Sequence, residues 1–256
     1  MQTPVILVTN DDGIMAPGIR HLIKYMLELG DVVVVAPDKP QSGMGHAVTI
    51  EKPLRLESIK IDGEYMEYSC SGTPVDCVKL AVNKVLHRKP DLLVSGINHG
   101  SNSSINVIYS GTMSAAIEGA MEGIPSIGFS LLDYRIDADF LPSKKFIQAI
   151  SRNVLKNGLP LGTCLNVNIP AVPGNQIKGI RVSRQANANW QEEFDHRKDP
   201  RGRPYYWLAG RFQLHENGNE TDEWALANNY ISMVPVQFDF TAHNAIPTLK
   251  KWKYDV

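Results

Sequence analysis

Short apolar runs alternating with amphipathic stretches predict an α/β protein built on a mostly parallel sheet covered by helices. Three observations carry that expectation. Val5-Ile6-Leu7-Val8 and Val32-Val33-Val34-Val35-Ala36 are apolar on both faces, as strands covered by helices on either side must be. Between them, Ile19, Leu22, Ile23, Met26 and Leu27 recur at helical spacing and Gly30 supplies a stop, so the segment reads as one right-handed βαβ unit. The first strand breaks off against Asn10-Asp11-Asp12-Gly13. In such folds, ligands bind beyond the carboxyl ends of the strands, where this turn falls.

The next elements follow in order. Pro37 opens a loop through Ser42-Gly43-Met44-Gly45-His46. Residues 47–70 interrupt the alternation. Val48 to Leu56 reads as extended, and Asp62-Gly63 between Ile59-Lys60-Ile61 and Tyr65-Met66-Glu67-Tyr68 is a hairpin signal, an antiparallel excursion from the main sheet. Gly72-Thr73-Pro74 starts a helix, with Thr73 as N-cap and Pro74 at the first helical position. Asp91–Ser95 is a strand, and a polar loop from Gly96 to Ser104 leaves it. Thr112–Glu122 reads as a helix and Pro125–Ser130 as a strand. Phe146, Ile147, Ile150 and Val154 mark another helix, and Cys164–Ile169 a further strand.

From about Val182 the chain turns polar, with a flexible loop at Asp199–Pro204 flanked by Trp190, Tyr205, Tyr206, Trp207 and Phe212. Thr221–Ala227 reads as a capped helix, Tyr230–Val236 as a strand, and the tail beyond Thr241 as a final helix. The division expected is a catalytic core over residues 1–180 and a C-terminal arm over 181–256 that partly packs back on it.

Composition narrows the function. At 256 residues, 43% hydrophobic and 21% charged, the chain is of ordinary globular make-up. A formal net charge of −1 gives no general attraction for polymeric nucleic acid or an anionic membrane. No run approaches the ~20 apolar residues of a membrane helix. Cys70, Cys77 and Cys164 are too few and scattered for a disulfide framework or a zinc site. With no signal-peptide pattern at the N-terminus, a cytoplasmic location is expected.

The chemistry gathers at one sheet edge. Loops leaving three parallel strands bring together Asp11 and Asp12, Ser42, and Asn98 with Asn102. Neighbouring carboxylates repel unless a cation or proton separates them. All these donors are hard oxygens, which suit Mg²⁺, Mn²⁺ or Ca²⁺ better than zinc. A fourth loop, Tyr109-Ser110-Gly111-Thr112, immediately precedes a helix, whose free N–H groups and dipole suit a phosphate. A metal and an anion cradle side by side imply phosphate-ester chemistry, the metal neutralising phosphoryl oxygens and acidifying an attacking water. No Walker-type loop, dinucleotide fingerprint or Gly-x-Ser-x-Gly elbow is present.

Thr9-Asn10-Asp11-Asp12-Gly13, Ala36-Pro37 with Ser42-Gly43, Ser71-Gly72-Thr73-Pro74-x-Asp76-Cys77, Ser95-Gly96-Ile97-Asn98-x-Gly100-x-Asn102 and Tyr109-Ser110-Gly111-Thr112 resemble the SurE family. Asn166-Val167-Asn168 and Thr221-Asp222 with Tyr230-x-Ser232 extend the likeness into the C-terminal half. The resemblance implies a Rossmann-like, mostly parallel sheet in a three-layer α/β/α core. It also implies a metal-dependent phosphatase acting on nucleoside 5′- and 3′-monophosphates, and in some members on short polyphosphate. It implies one divalent cation per subunit, Mg²⁺ or Mn²⁺, held by Asp11, Asp12, Ser42 and Asn98. Asn98, Asn102, Ser110, Gly111 and Thr112 are then the phosphate-binding residues. It also implies a homodimer or homotetramer whose subunits exchange C-terminal elements. Asn228-Asn229 stands before Tyr230 where the family often has glycine.

Asp11 and Asp12 are the catalytic candidates, with Asp12 the choice for taking a proton from water. His46 and His99 lie in site loops and are candidate donors to a phosphate or leaving group. Asp76, on a first helical turn, is read as structural. Two rivals stand beside this reading. One is a nucleotide sensor that binds without hydrolysis. The other is a phosphatase with an Asp nucleophile, although such enzymes use Asp-x-Asp and here the carboxylates are adjacent.

Overall fold

The computed structural model describes residues 3–135 and 137–254. Its first three elements are β1 (Val5–Thr9), α1 (Pro17–Met26) and β2 (Asp31–Pro37). β1 and β2 pair in parallel, Val5 opposite Asp31 and Val8 opposite Val34, which is the βαβ unit expected. The two-residue strand period divides β1 between two cores. Ile6 and Val8 face α1 and its neighbours, while Leu7 faces the opposite layer. All three are fully buried, each worth roughly 1.5–3 kcal/mol relative to exposure.

The segment after β2 differs from the expected course. β3 is only Leu56–Ile59, and β4 is Met66–Cys70. No strand covers 48–55, because its polar groups find side-chain partners. Thr49 N–H donates to Asp76 at 3.1 Å, and the Ala47 carbonyl accepts from the Thr73 hydroxyl at 2.7 Å. β3 and β4 do form an antiparallel hairpin. β4 also pairs in parallel with β2, so the hairpin joins the main sheet instead of leaving it.

α2 (Pro74–Leu80) begins with Thr73 as N-cap, completed by Asp76 into a reciprocal capping box. This bears out the structural reading of Asp76. β5 (Leu92–His99) lies beside β1 in parallel. α3 (Gly111–Met121), β6 (Ser126–Leu131), α4 (Lys144–Asn157) and β7 (Thr163–Ile169) follow. α1 and α4 pack on one face of the sheet and α2 and α3 on the other, giving the three layers.

β8 (Ile180–Val182) precedes the two strands β9 (Ala188–Lys198) and β10 (Pro204–Leu214). These form a separate antiparallel ribbon, Ala188 opposite Leu214 and Lys198 opposite Pro204. The Asp199–Pro204 loop is its tight turn, in which Asp199 accepts from the N–H groups of Arg201 and Arg203. α5 (Asp222–Ala227) is capped by Thr221. Asn229 then takes φ +63°, a left-handed conformation that asparagine tolerates where glycine would otherwise serve. β11 (Ile231–Gln237) inserts beside β7, antiparallel to it, so this part of the arm completes the main sheet. α6 (Ile246–Leu249) is a single turn. The full order is β3-β4-β2-β1-β5-β6-β7-β11-β8. Among the described residues no helix is long and apolar enough to cross a membrane.

Candidate metal and phosphate site

β2, β1 and β5 are adjacent and parallel, so the loops carrying Ser42 and the two aspartates leave one edge of the sheet. β5 runs on to His99 instead of ending at Ser95, so Asn98 sits at the end of the strand at that same edge. The first two loops are stitched together. Ile14 N–H donates to the Pro37 carbonyl at 2.8 Å, and Gln41 N–H to the Asp11 carbonyl at 2.7 Å. Gly13 adopts φ +96° between them, which only glycine does without strain.

The two carboxylates are held differently. Asp11 is 4% exposed and accepts a hydrogen bond from the Thr112 hydroxyl. Asp12 is half-buried and accepts from His99 N–H at 3.3 Å. Burial, together with the neighbouring charge of Asp12, pushes Asp11 up to about 6, although Thr112 pulls the other way. Burial also raises Asp12. Desolvated carboxylates side by side favour whatever positive charge is offered.

The surroundings fit a divalent cation. Asn98 spends its side-chain N–H groups on the carbonyls of Gly100 at 3.0 Å and His99 at 3.3 Å, which leaves its oxygen to accept or coordinate. Among the described residues, six buried side-chain polar atoms lack a hydrogen-bond partner. Three of them are Thr9 Oγ1 and Asn10 Oδ1, where β1 ends, and Ser95 Oγ, opposite Thr9 on β5. No cluster of three His, Cys, Asp or Glu is found among the described residues. A cation here would therefore rest on the two carboxylates supplemented by neutral oxygens.

Ser42 is exposed on a loop with Gly43 at φ +74° and Gly45 at φ +56°. Gly45 N–H donates to the Tyr109 carbonyl at 3.2 Å. His46 Nε2 lies 2.9 Å from Glu118, a buried carboxylate on α3 that also takes Lys79. Burial alone would raise Glu118; the two hydrogen bonds outweigh it and hold the carboxyl below its usual range. The His46 ring is thus part of a clamp fastening the Ser42 loop to α3. The His99 ring packs edge-on against Phe140 at 5.1 Å, and its backbone is what meets Asp12.

The phosphate-binding candidates take two kinds of position. Gly111 opens α3 against Asp11, so close that a Cβ there would lie 2.7 Å from Asp11 Cβ. Ser110 caps the helix by accepting from Met113 N–H at 3.0 Å, and the Thr112 hydroxyl is spent on Asp11. The free N–H groups of the helix N-terminus are therefore what this segment could offer an anion. Asn102 is buried in an amide network. Its N–H donates to Asn168, its side chain to Ser130, and its carbonyl accepts from Asn166, each at 2.8 Å. Asn166 and Asn168, two apart on β7, therefore share one side of the sheet and hold the β5 loop.

The arm supplies residues whose role the sequence reading did not assign. Asp222 is buried and accepts N–H bonds from Ser104 at 2.7 Å and Ala186 at 2.9 Å, while Glu223 accepts from the Ser103 hydroxyl. Ser104 sits at φ +53°, a strained conformation for a non-glycine residue. Thr221-Asp222 was visible as a motif, but nothing local tied it to a loop more than a hundred residues earlier. Arg201 and Arg203 lie on the ribbon turn, Arg203 paired with Asp199 at 2.8 Å.

The geometry defines a class: a Rossmann-like α/β protein with an acidic oxygen-donor site beside a helix N-terminus. Comparison with known proteins agrees. Residues 6–192 match the model of the family described as survival protein SurE. The 5′-nucleotidase SurE of Christiangramia forsetii is 66% identical over 251 residues, covering 97% of this chain and 96% of that protein. The 5′-nucleotidase SurE of Flavobacterium johnsoniae is 64% identical over 253 residues, covering 98% of each. The crystal structure of the SurE protein from Aquifex aeolicus superposes with a TM-score of 0.84 at 42% identity, covering 96% of this chain and 98% of that one. The chain belongs to the SurE family.

Proposed function

We propose that this protein is a divalent-metal-dependent phosphatase of nucleoside 5′- and 3′-monophosphates, with short polyphosphate as a further substrate class. The observation that carries the metal is the Asp11–Asp12 pair, desolvated and raised in the fold, with Asn98 oxygen free beside it. The nucleotide comes from the relatives named 5′-nucleotidase, which match over nearly the whole chain.

Asp11, Asp12, Ser42 and Asn98 hold the cation, with Mg²⁺ or Mn²⁺ the hard ions that such donors suit. Bound there, a divalent cation supplies charge neutralisation for the phosphoryl oxygens and acidifies a water for attack on phosphorus. Thr112 orients Asp11 through its hydroxyl, and the N-terminus of α3 offers N–H groups and a favourable dipole to the phosphate. Asn98, at the end of β5, and Asn102, in the loop beyond it, are the remaining phosphate-binding candidates. Asp12, less buried than Asp11, is the candidate to take the proton from water.

Phosphate release from AMP, GMP and 3′-AMP with Mn²⁺ or Mg²⁺, then with chelator, tests this. Release that stops with chelator supports the reading; tight binding without release makes the protein a sensor. In a single turnover, solvent oxygen should appear in the released phosphate, and its absence would indicate an Asp nucleophile.

We also propose a homodimer or homotetramer built through the arm. Phe194, Tyr206, Trp207 and Leu208 on the β9–β10 ribbon are each more than 60% exposed. A cavity of about 840 Å³, lined among others by Ile108, Ile117, Met121, Phe238 and Phe240, lies beside the end of β11. Apolar surface of this kind calls for another chain. A cytoplasmic location accords with three free, buried cysteines.

A further inference from the structure

The loop that joins Asn98 to Asn102 carries a feature that neither metal nor phosphate requires. Tyr134, in the segment after β6, lies against Gly100. A Cβ on Gly100 would come 2.2 Å from Tyr134 Cε1 and 2.7 Å from Cζ. Gly100 itself adopts φ +100°. Two independent demands therefore fall on one glycine: a left-handed backbone and room for an aromatic ring.

The ring is anchored but uncovered. Ser101 N–H donates to the Tyr134 hydroxyl oxygen at 3.3 Å, yet Tyr134 remains 75% exposed. An exposed aromatic fixed at both its ring edge and its hydroxyl has given up its conformational freedom without burying its surface. Such surface is ready to receive a flat partner at little further entropic cost. Tyr109 is also exposed beside the cradle, but among the described residues no hydrogen bond fixes its hydroxyl.

Position supplies the identity of that partner. Gly100 is two residues from Asn98 and two from Asn102, so the backbone the ring rests on lies within roughly 7 Å of both along the chain. A nucleoside monophosphate whose phosphate sits among Asn98, Asn102 and the α3 N-terminus must place its base a few bonds away. The geometry points to Tyr134 as the stacking platform for the nucleobase, the residue that makes a base-bearing phosphate a better substrate than a bare sugar phosphate. The assignment rests on the phosphatase reading above. Stacking grows with ring area, so purine monophosphates gain more from it than pyrimidine ones.

The test compares AMP with ribose 5-phosphate, which lacks a base, as substrates for the full chain and for Tyr134→Ala and Tyr134→Phe. The ratio of kcat/KM for AMP over ribose 5-phosphate should fall about ten-fold in Tyr134→Ala, within the range that base–aromatic stacking gives. The loss should appear mainly in KM. Tyr134→Phe, which keeps the ring, should retain most of the ratio. A ratio unchanged in Tyr134→Ala overturns the proposal, because the ring then only braces Gly100 and both substrates suffer alike. Equilibrium binding of the same two ligands reads the same ratio without turnover. A protein that hydrolyses neither substrate but loses AMP binding in Tyr134→Ala would thus sink the phosphatase reading and leave the platform standing.

Discussion

The carboxyl edge of the sheet and the β9–β10 ribbon break the rules of burial in opposite directions. At the edge, Asp11 and the orphaned side-chain atoms of Thr9, Asn10 and Ser95 are buried. Burying polar groups without partners costs free energy. On the ribbon, Tyr206, Trp207 and Leu208 stand in the open, although such side chains gain by being covered. Each region carries a cost within the single chain that a partner would relieve. The proposed cation and phosphate would relieve the edge, and the proposed second chain would cover the ribbon. Ordinary stretches such as β1 and α1 satisfy themselves.

The largest effect is expected at Asp11. Asp11→Asn should lower metal-supported turnover by roughly a thousand-fold, the scale of removing a major electrostatic stabiliser, while circular dichroism stays native. The same change should stabilise the metal-free protein. Folding raises the Asp11 carboxyl from 3.8 to about 6, so the fold binds that proton more tightly than the unfolded chain does. That contribution is fully present below 3.8 and is lost as pH rises through 6. At pH 8 with chelator, Asp11→Asn should therefore gain roughly 3 kcal/mol in denaturant titration. The gain should vanish as pH falls below about 4.

Gly111→Ala comes next. A methyl group there must displace Asp11, whose Cβ would be 2.7 Å away, and displacements of this order cost roughly a hundred-fold in turnover. Overpacking against Asp11 should also cost roughly 1–3 kcal/mol of stability; a variant with unchanged kcat would contradict the placement of Asp11. On the other region, Tyr206→Ser with Trp207→Ser should weaken self-association by roughly a hundred-fold if these rings are interface anchors. Sedimentation of dilute protein reads this, and an unaltered distribution would remove the ribbon from the interface. The smallest effect is expected at His46. His46→Ala leaves Glu118 with Lys79 alone, costing roughly 1–2 kcal/mol in a melt, and His46→Gln should restore most of it by donating to the same carboxylate.

The same contrast explains what the sequence made legible. β1, β2 and β5 bury both faces and declare themselves as apolar runs, and the loops that follow them inherit their common edge. The ribbon buries little within its own chain, so its 11-residue strands show no alternation of apolar and polar positions, and only its Asp199–Pro204 turn was readable. The stretch at 48–55 looks extended but bonds to the Thr73–Asp76 cap, a partner no local pattern reveals. At the site, Asp11, Asp12, Ser42 and Asn98 were marked by their loops and by family resemblance. Asp222, Glu118 and Lys79 reach the site loops only through tertiary contacts far along the chain.

Calorimetric titration of Mn²⁺ into chelator-treated protein, in buffers of different ionisation enthalpy, tests the central claim most directly. A raised Asp11 must surrender its proton when a cation binds. The account predicts one site per chain, proton release at pH 6 that fades by pH 8, and a much weakened site without that release in Asp11→Asn. Binding of equal strength in Asp11→Asn, or no binding at all, would contradict it.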